Sequence, residues 1–188
     1  MRIVLLASGS GSLAQAIIDA AARGTLDIDI LALISDRDSL ALSRATNAGI
    51  VAKHLPINGD RDSWNAELFS YVSNLNPDLV VSVGFMRILA PKFVEKFPTI
   101  NTHPALLPNF PGAHAVRDAL AAGATRTGST IHWVDEGVDT GEVIVQKEVL
   151  IREDDDEASL HESIKIVERA LIVEALQKLS ANGISRRI

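Results

Sequence analysis

A regular alternation of short apolar runs with helical segments in the N-terminal half constrains this fold more than any other feature of the sequence. Each apolar run is long enough only for a buried strand, and strands that alternate with helices roughly every 25 residues form right-handed βαβ units. The runs lie at residues 2–7, 28–35, 51–55 and 79–83, and the helical segments between them at residues 12–23, 39–48 and 62–74. We therefore predict an α/β fold with a doubly wound, mostly parallel sheet whose first strand is central.

The C-terminal half is less regular. Its predicted elements are helices at residues 91–96, 114–122 and 157–179, strands at residues 99–103, 130–134 and 142–150, and an irregular loop at residues 104–112. No internal repeat, low-complexity tract or linker interrupts the sequence. We therefore expect residues 1–188 to form a single domain.

Charge and composition exclude several classes of function. The 18 basic and 24 acidic residues give a formal net charge of −6, which disfavours nucleic acid or an anionic membrane as a partner. The absence of cysteine excludes disulfides, thiolate nucleophiles and thiolate metal ligands. The first apolar run is too short for a signal peptide or a membrane span. We expect a cytoplasmic protein that binds small molecules.

A glycine-rich turn follows the first predicted strand and is the first candidate ligand site. Its Gly9-Ser-Gly11 sequence, with Ala14, loosely matches the dinucleotide fingerprint, and Asp36 at the end of the second strand could contact a ribose. A phosphate held by backbone N–H groups at the helix start is the broader interpretation. A nicotinamide-dependent oxidoreductase is one alternative, and a βα turn that needs glycine only to bend is another.

Polar side chains in the second half are the second candidate site. Asn101 and His103 lie on one face of a predicted strand, where an amide could stabilise an oxyanion and an imidazole could carry a proton. Asp139, in a downstream acidic turn, would raise the pKa of a nearby histidine. Each residue alone has a simpler structural interpretation, such as a backbone hydrogen bond. No histidine pairs with a carboxylate at the spacing of a metal site, so no metal is expected.

Several motifs together resemble the folate-dependent formyltransferases. They are the segments at residues 84–89 (GFMRIL), 101–108 (NTHPALLP), 110–112 (FPG), 128–130 (GST) and 135–141 (DEGVDTG), and the resemblance begins at residues 3–18. It implies a Rossmann-like formyltransferase fold, an enzyme that uses 10-formyltetrahydrofolate without a metal, and a cis peptide bond between Leu107 and Pro108.

Within this family the sequence most resembles the branch that formylates glycinamide ribonucleotide in purine biosynthesis. Family members that act on methionyl-tRNA carry an extra C-terminal domain, and the deformylases carry an extra N-terminal domain. This chain starts directly at its first strand and stops after one long helix. These two activities remain alternatives, as does a non-enzymatic regulatory domain, and the oligomeric state is open, with a homodimer among the options.

The resemblance also implies a role for each matching residue. The implied catalytic residues are Asn101, His103 and Asp139. The implied residues of the glycinamide site are Gly11, Ser12, Leu13, Lys165 and Glu168, and those of the folate site are Arg61, Met86, Arg87, Ile88, Leu89, Asn101, Asp135 and Asp139.

Two of these assignments also have a local interpretation. The family often has asparagine where this chain has Leu13, so a backbone contact with the phosphate survives and a side-chain contact does not. Lys165 and Glu168 are three residues apart on a predicted helix, and a solvated ion pair between them is the default expectation.

Overall fold

The computed structural model describes residues 1–184, which form one seven-stranded sheet with six flanking helices. The strands are β1 (Arg2–Leu6), β2 (Asp29–Ser35), β3 (Ala52–His54), β4 (Leu79–Ser82), β5 (Thr99–His103), β6 (Arg126–Trp133) and β7 (Val143–Leu150). The helices are α1 (Ser12–Ala22), α2 (Leu40–Asn47), α3 (Arg61–Leu75), α4 (Pro91–Lys96), α5 (Ala115–Ala121) and α6 (Glu157–Asn182).

The strand order is β3-β2-β1-β4-β5-β6-β7, and the first five strands are parallel. Strands β6 and β7 pair antiparallel to their neighbours. The doubly wound, mostly parallel sheet is therefore confirmed. Strand β1 lies inside the sheet between β2 and β4, as its apolar sequence predicts, and β4 is the middle strand.

Two layers of apolar side chains cover the sheet. On one face, Ile17 of α1 and Leu171 of α6 pack into a core that includes Ile3 and Leu5 of β1. On the other face, Trp64 and Leu68 of α3 and Phe93 of α4 are among the residues that pack against Val4 and Leu6 of β1. From Ile3 to Leu6, strand β1 is buried on both faces, and all four of these residues are apolar.

Strand β6 begins at Arg126, before the predicted start at residue 130. Thr127, Ser129 and Thr130 are polar, so no apolar run marks this part of the strand. Their burial comes instead from helix α6 and from antiparallel pairing with β5 and β7. The peptide bond between Leu107 and Pro108 is cis, as the family resemblance implies. Within residues 1–184, no helix has the length and apolar character needed to cross a membrane.

Candidate active site

A cleft of about 320 Å³ opens at the carboxyl ends of β4 and β5. Residues within the segments 82–89, 101–104, 112–113 and 132–139 line this β4–β5 cleft. Open α/β sheets bind ligands at the carboxyl ends of their strands, near the point where the strand order reverses. In this sheet the order reverses between β1 and β4, and the Ser8 N–H donates to the Gly84 carbonyl at 3.0 Å across that point.

Strands β5 and β6 together place the polar groups of the cleft. Asn101 lies opposite His132 in the antiparallel register, and His103 lies opposite Thr130. The sequence therefore predicts the common face of Asn101 and His103 correctly. His132 is a cleft residue that sequence reasoning missed, because its position depends on the register between β5 and β6. Side chains alternate between the two faces of β6, but this pattern identifies His132 as a cleft residue only when the register between β5 and β6 is known.

His103 is buried, and both of its ring nitrogens face hydrogen-bond acceptors. Nδ1 lies 3.2 Å from Oδ2 of Asp139, and Nε2 lies 2.8 Å from the Phe110 carbonyl oxygen. Burial lowers the pKa of His103 below its ordinary value, and it outweighs Asp139 and the Phe110 carbonyl, which both raise it. As expected, the charge of Asp139 raises the pKa of His103 and so favours the charged ring. The net direction of the shift is nevertheless downward, and this corrects the sequence-based expectation.

Asp139 sits in a tight turn with a left-handed backbone, at φ 56°. Its Oδ2 accepts the Gly112 N–H at 2.8 Å, and its Oδ1 lies 3.4 Å from Nε2 of His132. Burial on its own would raise the pKa of this carboxyl group. The polar neighbours His132, Gly112 and His103 together hold the pKa below its ordinary value, so Asp139 is ionised at neutral pH.

The loop after β4 is fixed to the ends of β1 and β2. The Ser8 hydroxyl accepts the Met86 N–H at 2.9 Å and donates to Asp36 at 2.5 Å. Arg87 Nε donates to the same Asp36 carboxylate at 2.6 Å. These bonds leave Met86 and Ile88 exposed at the cleft, at 60% and 67% of their surface. The Asp36 side chain is 0% exposed, so it is not available to the ribose that the nicotinamide alternative requires.

Three further residues predicted for the folate site lie in this loop, beside it, or across the cleft from it. Arg61 Nη2 donates to the Ile88 carbonyl, and its guanidinium lies 4.7 Å from the centre of the Trp64 ring. Leu89 is buried in the core at the base of the loop. On the other side of the cleft, Asp135 accepts the Gly137 N–H at 3.0 Å and the Thr140 hydroxyl at 2.7 Å. Asp135 therefore shapes the turn that carries Asp139.

The glycine-rich turn leads directly into α1. Gly11 has a φ of 71°, and among residues 1–184 no side chain caps the start of this helix. Its first N–H groups are therefore available to an anion. The Leu13 side chain is buried in the core, so at this residue only the backbone N–H can reach a ligand. A Cβ atom at Gly11 would lie 2.7 Å from Ala41 of α2, which requires glycine at this position.

Lys165 and Glu168 both lie on α6, outside the set of residues that line the β4–β5 cleft. Lys165 Nζ lies 3.8 Å from Glu162, whereas Glu168 is buried and accepts the Ser129 hydroxyl at 3.4 Å. The default expectation of a solvated Lys165–Glu168 pair is therefore wrong. Burial raises the pKa of Glu168 to about 7.

Comparison with known proteins identifies the family. Residues 1–176 match the family model described as formyl transferase. The chain belongs to the formyl transferase family. This confirms the resemblance that the motifs carry, and the fold agrees with it. A solved structure of glycinamide ribonucleotide transformylase 1 from Symbiobacterium toebii has a TM-score of 0.95 and 35% identity, over 100% of this chain and 91% of that chain.

Two curated relatives show the range of this formyl transferase family. Phosphoribosylglycinamide formyltransferase of Mycobacterium tuberculosis (strain ATCC 25618 / H37Rv) is 45% identical over 98% of this chain and 87% of that protein. The trifunctional purine biosynthetic protein adenosine-3 of Homo sapiens is 36% identical over 97% of this chain and 18% of that protein.

The arrangement in this formyl transferase suits acyl transfer. An amide, an imidazole and an ionised carboxylate converge in the β4–β5 cleft, and the uncapped start of α1 can bind an anion. Within the described part of the chain, no group of three His, Asp or Glu side chains could hold a metal ion.

Proposed function

We propose that this formyl transferase moves the formyl group of 10-formyltetrahydrofolate to the amine of glycinamide ribonucleotide, a step of purine biosynthesis. The convergence of Asn101, His103 and Asp139 in the β4–β5 cleft carries this proposal. The relatives named phosphoribosylglycinamide formyltransferase support the choice of amine.

In this proposal the folate occupies the β4–β5 cleft. The exposed Met86 and Ile88 supply an apolar wall for the pterin, and Arg61 holds the backbone of that wall. The turn that contains Asp135 and Asp139 forms the opposite wall, so the formyl group lies beside Asn101 and His103.

The glycinamide ribonucleotide binds by its phosphate. The backbone N–H groups of Gly11, Ser12 and Leu13 hold that phosphate at the start of α1, where the helix dipole also favours negative charge. Lys165 and Glu168 of α6 complete the site for the glycinamide. Because the pKa of Glu168 is about 7, its carboxyl group can be either a donor or an acceptor at neutral pH.

The reaction forms one bond and breaks one bond. The neutral amine attacks the formyl carbon, the oxygen becomes an oxyanion, and the bond from that carbon to N10 then breaks. One proton leaves the amine, and one proton joins N10. Asn101 and His103 stabilise the oxyanion by donating hydrogen bonds to it, and such donors are typically the largest electrostatic contribution in acyl transfer.

His103 moves the proton. Its Nε2–H donates to the Phe110 carbonyl in the free protein, and a substrate atom replaces that carbonyl as the acceptor. Because its pKa is lowered, the charged His103 ring is a stronger acid and gives its proton to N10 more readily. Asp139 holds the Nδ1 side of the ring and stabilises the charged form.

An absorbance assay of 10-formyltetrahydrofolate consumption tests the proposal. We expect consumption that depends on glycinamide ribonucleotide and produces its formylated form in equal amount. Consumption without any amine would instead indicate a deformylase, and consumption with methionyl-tRNA as the only acceptor would indicate the tRNA enzyme. No consumption under any of these conditions would contradict formyl transfer by this protein.

A further inference from the structure

The side-chain amide of Asn101 has two ends that differ chemically but are similar in shape. The oxygen only accepts hydrogen bonds, and the NH₂ group only donates them. An oxyanion needs a donor, so Asn101 can act on it only when the NH₂ group, and not the oxygen, faces the reacting atoms. The structure must therefore contain groups that fix which way this amide points.

Ser82, the last residue of β4, contacts the oxygen end. Its hydroxyl donates to Oδ1 of Asn101 at 2.7 Å, and only 5% of Ser82 is exposed. A hydroxyl can donate or accept, so Ser82 would tolerate either orientation of the amide. Ser82 therefore holds the amide in place but does not by itself choose its direction.

His132 makes that choice. Its Nδ1 lies 2.8 Å from the Trp133 carbonyl oxygen, which can only accept, so Nδ1 carries a hydrogen. In the neutral ring Nε2 is then an acceptor, and it lies 3.3 Å from Nδ2 of Asn101. If the amide were reversed, its oxygen would face the lone pair on Nε2 of His132 and no hydrogen bond would form there. The neutral ring accepts one N–H of Asn101 and so fixes the amide direction.

The same Nε2 also lies 3.4 Å from Oδ1 of Asp139, and a charged His132 would donate there instead. Asp139 already accepts the Gly112 N–H at 2.8 Å and lies 3.2 Å from Nδ1 of His103. Among residues 1–184, the NH₂ group of Asn101 has no acceptor besides Nε2 of His132. The direction of the amide is therefore fixed only while Nε2 of His132 carries no hydrogen.

We propose that Ser82 and His132 are positioning residues that hold the Asn101 amide with its second N–H directed at the formyl oxygen in the β4–β5 cleft. The proposal rests on the function proposed above. It adds a chain of hydrogen bonds that starts at the Trp133 carbonyl, passes through His132 and Asn101, and ends at Ser82. Neither Ser82 nor His132 needs to touch the substrate.

Replacement of Ser82 tests the chain. Ser82→Ala leaves Oδ1 of Asn101 without a donor, so the amide spends time in unproductive orientations. The loss of one neutral hydrogen bond predicts a kcat lower by about 3-fold to 10-fold, with the KM values of both substrates unchanged. Ser35→Ala is a matched control, because it also removes a buried hydroxyl from the carboxyl end of a strand. The control should retain full activity.

A double-mutant cycle separates positioning from general damage. In an Asn101→Ala background no amide remains to be oriented, so Ser82→Ala should cause no further loss of kcat. An equal loss in both backgrounds would assign Ser82 a structural role only, and no loss in the wild-type background would overturn its part in the proposal. Absence of any amine-dependent activity in the wild-type protein would count against the proposed function instead.

The tautomer of His132 can be measured without an assay. In the wild-type protein, the ¹⁵N chemical shifts should show a protonated Nδ1 and an unprotonated Nε2 at the pH of the kinetic measurements. His132→Gln places an acceptor near the position of Nε2 and should retain more activity than His132→Leu. A protonated Nε2, or equal activity of the two variants, would overturn the role of His132.

Discussion

At the scale of single residues, the pKa of His103 results from burial, which lowers it, and from Asp139, which raises it. Asp139→Asn removes the charge but keeps the shape, so we expect the pKa of His103 to fall further. If the protonated ring supports catalysis, activity is lost as the pH rises past this pKa. The alkaline limb of the kcat profile should therefore move to lower pH. NMR titration of His103 in both proteins measures the shift directly. Coincident His103 titration curves would contradict the coupling.

Glu168 is a buried carboxyl group whose pKa is raised from 4.5 to about 7. Between these two values the folded protein keeps a proton that the unfolded chain releases, so this residue makes stability fall as the pH rises through that window. The full effect is about 3 kcal/mol and is present above pH 7. Glu168→Gln should therefore gain about this much unfolding free energy relative to wild type between pH 4.5 and pH 8.

Urea denaturation at several pH values measures this difference. Glu157→Gln, at the exposed start of the same helix, is the control and should keep nearly the pH profile of the wild type. Parallel profiles for wild type and Glu168→Gln would show that the carboxyl group of Glu168 titrates alike in the folded and unfolded chain.

The sequence reveals some residues of the β4–β5 cleft and conceals others, for a physical reason. Asn101, His103 and Asp139 stand in motifs with a recognisable order, so they could be named before the structure was known. Ser82 and His132 reach Asn101 from two different neighbouring strands. Their contacts depend on strand register, and no local pattern in the sequence encodes that register.

At the scale of elements, the turn from β1 into α1 depends on Gly11. Gly11→Ala places a Cβ 2.7 Å from Ala41 and forces alanine to adopt a φ of 71°. We expect the KM for glycinamide ribonucleotide to rise on the order of 10-fold, because the displaced N–H groups no longer fit the phosphate. The KM for the folate should change little.

Gly24→Ala is the matched control for Gly11→Ala. Gly24 has the same φ of 71° just beyond the other end of α1, but nothing lies within 4 Å of its added Cβ. Both variants carry the backbone strain, which is about 1–2 kcal/mol, and only Gly11→Ala adds the clash with α2. Thermal unfolding and steady-state kinetics should therefore separate the two variants. Equal KM values for the amine in both would contradict a phosphate site at this turn.

Strands were predictable where both faces are apolar and less predictable where polar groups are buried. The runs that form β1, β2 and β4 are apolar on both faces, and their positions follow from the sequence. Strand β6 buries the polar Thr127 and Ser129 in its first half, so that half looks like a loop. The second half of β6 and strand β7 follow from the sequence, so only the start of β6 required the structure.

At the scale of the whole molecule, we propose that residues 1–188 form a single domain. Helices α1 and α6, from opposite ends of the chain, share one core layer with β1. The two tryptophans lie in different layers, Trp133 in this one and Trp64 in the layer on the other face of the sheet. Trp64→Phe and Trp133→Phe each leave one tryptophan as a fluorescent reporter. In each variant we expect the unfolding midpoint from fluorescence to equal the midpoint from circular dichroism.

A folate analogue at about 100 times its Kd should raise the unfolding free energy by about 2.7 kcal/mol in both tryptophan variants. A single domain requires the whole transition to shift with the ligand. Two separate transitions, or a shift that only one tryptophan reports, would divide the chain into independent units.

The position of the β4–β5 cleft in the chain has a consequence for protein synthesis. A chain stopped after β5 already contains the glycine-rich turn, Asn101 and His103. It still lacks Asp139, the strand that carries His132, and the helix that covers the apolar side of α1. The same late segments complete the hydrophobic core and the walls of the β4–β5 cleft. A chain that stops after β5 therefore lacks both the complete cleft and the complete core, and the segments from β6 to α6 supply the two together.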